Sequence, residues 1–324
     1  MKNLKKMVKV IGLGALAVSL IGCAGDKKVE KSGEKIKVGA IEYIEHVSLD
    51  NALKGFQDRL KEEGIDVEID VENLQGDQAL ATTVPKKFEA EDYKLVYAIS
   101  TPAAQGAKTA LPDKNIIYSA VTDPVEAGLI DSPDKITNIT GVNDAVSAKD
   151  QLESFLKIYP DIKTIGTIFS TNEANSKIQV ENLKKACDEL GLTLETVGIN
   201  NINDMGQALS TLTGKIDAYY ALTDNTVASA GPILAESLLK NKVPSISAEE
   251  GQVSKGLLMS EGVDYYEHGR QAGEMAIKIL KGEDIKNIHA EDNKTSKKKI
   301  NGKTAEALGL DLSNENLRDA EVLK

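Results

Sequence analysis

Leu95-Val96-Tyr97-Ala98-Ile99 runs without a break into Ser100-Thr101-Pro102-Ala103-Ala104-Gln105. The first five residues are apolar and bulky, and too few for a helix, so they read as a buried strand. The next six open a helix, with Thr101 as N-cap and Pro102 at N1, where a missing N–H costs nothing. A strand feeding a helix is half of a βαβ unit, and the same alternation extends in both directions. Upstream lie Ile36–Ile41 and Val67–Val71; downstream lie Ile116–Val121, Thr164–Phe169, Thr193–Ile199, Ile216–Ala221 and Val243–Ser247. The intervening stretches carry helical stripes such as Leu49, Leu53, Phe56 and Leu60, ending at Gly64. Strands separated by helices imply an α/β fold with parallel sheets. Pro85, inside the helix expected over 78–90, predicts a kink.

The alternation breaks at Thr140-Gly141-Val142-Asn143-Asp144, and a new helix start follows at Ser147. A first crossover between two lobes is placed there, with a return near Glu249-Glu250-Gly251 that brings Gly256–Glu261 and a helix over Tyr265–Leu280 back to the first lobe. Asp264-x-x-Glu267 resembles a capping box for that helix. The expected lobes are residues 36–145 with 251–284, and residues 146–250 with 285–324. Hinges then fall near Asn143, Glu250 and Ile285, and Lys297–Ile300 is expected as a last strand of the second lobe.

The N-terminus is of another kind. Lys2, Lys5, Lys6 and Lys9 precede an apolar run, Val10 to Ile21, too short to cross a bilayer. Residues 1–22 read as an export signal. Leu20-Ile21-Gly22-Cys23 resembles the bacterial lipobox, in which the cysteine is acylated and becomes the first residue of the mature chain; the plainer alternative is a secretory signal with an incidental cysteine. Residues 23–35 then form the lipidated Cys23 and a flexible polar tether. Loss of residues 1–22, which hold four Lys and no acid, leaves 302 residues and moves the net charge from -11 to -15. Such acidity argues against nucleic acid and against electrostatic adhesion to an anionic membrane. The lipid provides attachment. Cys187 has no partner once Cys23 is acylated, and reads as a buried apolar residue in Leu183-x-x-Ala186-Cys187-x-x-Leu190. His46, His268 and His289 are scattered, so no metal or other cofactor is expected. There is no nucleophile elbow, P-loop or HExxH, and no nucleophile–base pair, so an enzyme is not expected.

In open parallel sheets ligands collect beyond the carboxyl ends of the strands. Those loops are polar here: Glu42-Tyr43-Ile44-Glu45-His46, Ser100-Thr101-Pro102, Thr122-Asp123-Pro124, Ser170 to Ser176, Thr223-Asp224-Asn225 and Ala248-Glu249-Glu250. Any one of them is adequately explained as a helix cap. Together they match a zwitterion, with Ser100, Thr101, Asn175 and Ser176 for a carboxylate and Asp123, Asp224 or Glu249 for an ammonium. Asn172 and Asn225 complete the polar lining, and Tyr43 is the expected stacking partner for an apolar side chain, with Tyr219 or Tyr220 as lesser candidates. Asp224 is expected to carry the ammonium, its rival role being a plain N-cap.

Asn73-x-Gln75-Gly76-Asp77, Ser100-Thr101-Pro102-Ala103-Ala104-Gln105, Val121-Thr122-Asp123-Pro124-Val125, Asn172-Glu173-Ala174-Asn175-Ser176, Thr223-Asp224-Asn225-Thr226-Val227 and Tyr265-Tyr266-Glu267-x-Gly269-Arg270-Gln271 resemble the signatures of one family. It is the family of solute-binding lipoproteins of ABC importers that includes the tryptophan and tyrosine transport type. The resemblance implies a type I periplasmic-binding-protein fold, two Rossmann-like lobes joined by a three-crossover hinge and closing on a ligand. It implies capture of an aromatic amino acid (tyrosine, phenylalanine or tryptophan) for an ABC permease and its ATPase, by a monomer anchored through lipid to the extracytoplasmic face of the cell membrane. Ser100 departs from the alanine common in the family. A branched-chain amino acid, a nucleoside or a sugar is the alternative ligand, though a sugar site wants more stacking aromatics than 4% aromatic content and no Trp supply. A surface lipoprotein acting as adhesin or sensor is the alternative of another class.

Overall fold

A computed structural model of the chain describes residues 35–90 and 92–324. The expected signal (1–22), Cys23 and tether residues 24–34 lie outside the described residues. In chain order, β1 (Ile36–Glu42), α1 (Val47–Glu62), β2 (Val67–Asn73), α2 (Gln78–Thr83), α3 (Lys87–Ala90), β3 (Tyr93–Ile99), α4 (Thr101–Ala110), β4 (Ile116–Val121) and β5 (Ile139–Asn143) form the first βα series. The second comprises α5 (Ala148–Leu156), β6 (Thr164–Ser170), α6 (Ala174–Leu190), β7 (Thr193–Ile199), α7 (Met205–Leu212), β8 (Ala218–Ala221), α8 (Asn225–Ser229), α9 (Gly231–Lys240), β9 (Ser245–Glu249), α10 (Gly251–Ser254) and β10 (Met259–Val263). The chain ends with α11 (Tyr265–Leu280), β11 (Glu291–Asp292), β12 (Ser296–Asn301), α12 (Gly302–Leu308) and β13 (Glu321–Leu323). Pro85 sits in a short 3-10 turn that separates α2 from α3, because its ring nitrogen cannot continue the helical ladder.

Two sheets result, ordered β11-β5-β4-β3-β1-β2 and β13-β12-β10-β9-β8-β6-β7. All pairings are parallel except β10 with β12. The central strands β3 and β4 are almost wholly buried, as expected where helices cover both faces of a sheet. Over the first sheet, α1 and α11 approach so closely that a methyl at Gly55 or Gly269 would run into the carbonyls of Tyr266 and Ala52. Beneath them Phe56 stacks on Tyr97 with ring centres 4.0 Å apart and planes 7° from parallel. That contact fixes α1, and with it the loop between β1 and α1 that faces the second sheet.

The expected lobe boundaries need correction at two of three crossings. The segment 251–263 belongs to the second sheet, since β10 pairs with β9 through Met259 against Ile246 and Ser260 against Ser247. The polar Glu249-Glu250-Gly251 stretch is the start of the one-turn α10, not a crossover. The chain crosses at Asp264, which caps α11 by accepting from the Glu267 amide. Residues 291–292 then add β11 beside β5 in the first sheet, and the last crossing leads into β12. A two-residue strand has no periodicity to read, and a short helix between two parallel strands of one sheet looks in sequence like a departure from it.

Candidate functional site

The carboxyl ends of both sheets converge, and side chains from the two sides touch. Thr122 and Thr223 hydroxyls lie 3.5 Å apart, and Gln179 Nε2 donates to Thr122 Oγ1 (3.2 Å). Gln78 Nε2 reaches the Asn172 carbonyl at 3.4 Å, and His46 Nε2 lies 3.3 Å from Asn225 Oδ1. Gln179 also clamps the Thr223 backbone, its Oε1 accepting from the amide (2.9 Å) and its Nε2 donating to the carbonyl (3.2 Å). Beside these contacts a cavity lined by Thr122, Asp144, Gln179, Tyr220 and Thr223 measures about 30 Å³, room for water and too little for an organic solute.

On the first-sheet side, the cap differs from expectation. Ser100, at φ 100°, is the N-cap of α4, and its Oγ accepts from the Ala103 amide at 3.4 Å. A non-glycine residue in that region is strained, and such residues concentrate at functional sites. Because Ser100 caps, Thr101 falls at N1 with its hydroxyl free of capping duty. Thr101 is 1% exposed and its Oγ1 has no partner among the described residues. Tyr43 is buried and its hydroxyl is held, donating to the Gly76 carbonyl (2.8 Å) and accepting from Gln78 Nε2 (3.3 Å). Asp123 accepts from the Val125 and Glu126 amides, both 3.0 Å, and is a turn cap.

On the second-sheet side two carboxylates share the loops after β6 and β8. Glu173 Oε2 accepts from the Asn225 backbone (3.2 Å) and side chain, and Oε1 accepts from the Thr226 amide (2.9 Å) and hydroxyl (2.8 Å). Asp224 Oδ1 caps α8 through the Val227 amide (2.8 Å); its Oδ2 accepts from Ser176 Oγ (2.7 Å) and the Ser170 amide (2.5 Å). Burial first, then the neighbouring Glu173 charge, push the Asp224 carboxyl up to about 7. Among the described residues no lysine or arginine forms an ion pair with either acid. Asn175, 3% exposed, donates through Nδ2 to the Thr223 carbonyl (2.9 Å), which leaves its buried Oδ1 without a partner. Asn172 is exposed, and its side chain donates to the Asn200 carbonyl (2.9 Å), away from this group.

Glu249 belongs to a different cluster. Its carboxyl faces Ser48 and Gln252, with Asp144 and Glu250 nearby, and burial raises it to about 7. Asp144, at the first crossover, takes a 2.5 Å hydrogen bond from the Tyr265 hydroxyl of the second. Glu42 and Asp50 form a third acidic pair: burial and then Asp50 raise Glu42 to about 8. Thus Thr101, Asn175, Ser176, Asp224 and Asn225 stand with Glu173 on the facing loops, whereas the side chain of Asp123 caps a turn, that of Asn172 bonds to Asn200 and that of Glu249 lies beside Ser48 and Gln252. Glu173 and His46 lay in loops that the sequence marked but were given no role there, and Gln179 and Gln78 escaped the sequence reading. Gln179 was findable, since positions 175, 176 and 179 share a helical face.

Three relatives frame this geometry. A tyrosine-binding protein of Clostridioides difficile is 38% identical, covering 97% of this chain and 95% of its own. A Streptococcus pneumoniae ABC domain solved in complex with L-Trp superposes with a TM-score of 0.85 at 36% identity, covering 90% of this chain and all of that one. The ligand-free, open form of a Clostridium difficile substrate binding protein with adhesive properties reaches only 0.68, at 37% identity and over 89% of this chain and 99% of that one. Identity and coverage are nearly the same in the two structural comparisons, and the lower TM-score is the one to the neighbour described as open. The contacts between Thr122 and Thr223 and between Gln179 and Thr122 bridge the two lobes in this structure. With its profile matched over residues 37–324 and its fold shared with these relatives, the chain belongs to the ABC transporter substrate binding protein family.

Proposed function

We propose that the chain captures an aromatic amino acid between its two lobes and hands it to an ABC permease and its ATPase. The observation that carries this reading is that, among the buried polar atoms without partners, Thr101 Oγ1 and Asn175 Oδ1 lie on facing loops of opposite lobes. A buried unpartnered polar atom costs about 1–3 kcal/mol, so two of them on the loops where the carboxyl ends of the sheets converge support a guest that satisfies both. Thr101, whose buried hydroxyl lies at the start of α4, suits a carboxylate. Asn175 Oδ1, beside the Glu173 and Asp224 charges, suits an ammonium. Asp224 then acts mainly through its charge, since its oxygens already accept three hydrogen bonds. The aromatic preference is supported by the tyrosine-binding relative and by the L-Trp complex. The protein performs no covalent chemistry. It is exported and held as a monomer on the extracytoplasmic face through acylated Cys23, with residues 24–35 as spacer.

A thermal-shift screen of all amino acids, nucleosides and common sugars tests this reading. An aromatic amino acid at 100 times its dissociation constant raises stability by about 2.7 kcal/mol. A shift produced only by a nucleoside or sugar overturns it.

A further inference from the structure

The start of α1 is where the second lobe lands. Ser48, at the second helical position and 1% exposed, meets Gly251, the first residue of α10. A methyl built on Gly251 would collide with Ser48 Oγ, lie 3.2 Å from the Ser48 backbone nitrogen and 3.4 Å from Val47 Cβ. Nothing in its own lobe demands a glycine at this position. Its φ is not in the left-handed region, and alanine is favoured over glycine in a helix. The neighbouring Glu249 presents its carboxyl to Ser48, so negative charge meets the positive end of the 16-residue α1. One residue before α1, His46 contacts Asn225 of the same opposing lobe at 3.3 Å.

We propose that Gly251 sets the closed state: its missing side chain lets α10 seat on the N-terminus of α1, and so limits how far the lobes close on a ligand. This rests on lobe closure as the mode of capture, and it makes position 251 a positioning residue that touches no ligand. A single methyl there must displace Ser48 Oγ and press on the Ser48 backbone nitrogen at 3.2 Å, so it opposes full approach of the lobes.

The test uses the full-length chain in detergent carrying Thr122→Cys and Thr223→Cys, whose parent hydroxyls lie 3.5 Å apart across the closed cleft. Disulfide formation, read by gel mobility, reports the closed fraction with or without ligand. Gly251→Ala is expected to slow cross-linking roughly tenfold, equivalent to about 1.4 kcal/mol against closure, at an unchanged melting temperature. Adding Ser48→Gly restores the rate. Ser48→Leu, which creates the same obstruction from the other lobe, slows it again and covers the case in which Gly251→Ala fails to fold. Cross-linking at the parent rate in Gly251→Ala, or slowing that Ser48→Gly does not relieve, overturns the proposal. If no amino acid accelerates cross-linking of the parent, the amino-acid reading fails, while the ligand-free rates still decide the role of Gly251.

Discussion

Replacing Thr101 by valine removes one hydroxyl and keeps the shape of the side chain. Ser100 does the capping at this helix start, so the substitution breaks no cap. The hydroxyl is buried and unpartnered, so its removal relieves a desolvation cost rather than breaking a bond. The worth of that relief is about 1 kcal/mol, less a few tenths for a β-branched residue in a helix. Ligand-free Thr101→Val is therefore expected to melt no lower than the parent, and by up to about 2–4 °C higher. Binding changes the opposite way. A hydrogen bond to a ligand carboxylate is worth about 1.5–3 kcal/mol, so affinity falls roughly 10- to 150-fold. Scanning calorimetry without ligand and titration calorimetry with the amino acid found in the screen read the two effects separately. A lower ligand-free melting temperature means the hydroxyl has a structural partner; unchanged affinity means it does not face the ligand. Either result refutes the reasoning.

Three further outcomes follow from the same geometry. Asp224→Asn places an amide donor against either the Ser170 or the Val227 amide, so it is expected to destabilise the ligand-free protein by about 1–3 kcal/mol as well as weaken binding; normal melting would show that the three bonds it accepts are dispensable. His268 is buried, its Nε2 accepts from the Ala120 amide at 3.0 Å, and burial lowers it to about 4 from an ordinary 6.5. The folded chain thus binds fewer protons than the unfolded one, and stability falls as pH drops from 6.5 towards 4, by up to about 3 kcal/mol from this group. His268→Gln, which keeps an acceptor, is expected to flatten that acid limb in melts at pH 7 and 5, and parallel limbs count against the assignment. Cys23→Ser is expected to release the protein from membranes with its melting temperature intact; a processed mutant that still fractionates with membranes contradicts the lipid anchor.

Much of the fold was legible because strand runs, such as the buried Ile116–Val121 and the edge strand Thr193–Ile199, are bounded by local signals. The α11 start at Asp264 was legible for the same reason: its cap is a side-chain to backbone bond three residues long. What escaped was set by tertiary pairing. No local signal distinguishes a one-turn helix joining β9 to β10 from a crossover, and β11 exists only because β5 offers it an edge. At the site, the loops were legible and the division of labour within them was not. Ser and Thr at 100 and 101 are equivalent caps in sequence; only the backbone turn at Ser100 decides that Ser100 caps and Thr101 is left over. Glu173 reads as one more acid in a polar loop, and four of its hydrogen bonds come from residues more than fifty positions away.

The central claim is that both charged ends of an amino acid are recognised, one on each lobe. Titration calorimetry of L-tyrosine, L-phenylalanine and L-tryptophan alongside tyramine, which keeps the phenol and ammonium but lacks the carboxylate, tests it most directly. The account predicts saturable binding of at least one aromatic amino acid, and binding of tyramine weaker by tenfold or more, about 1.4 kcal/mol. Equal affinity for tyramine and tyrosine, or no binding of any of the three amino acids, would contradict it.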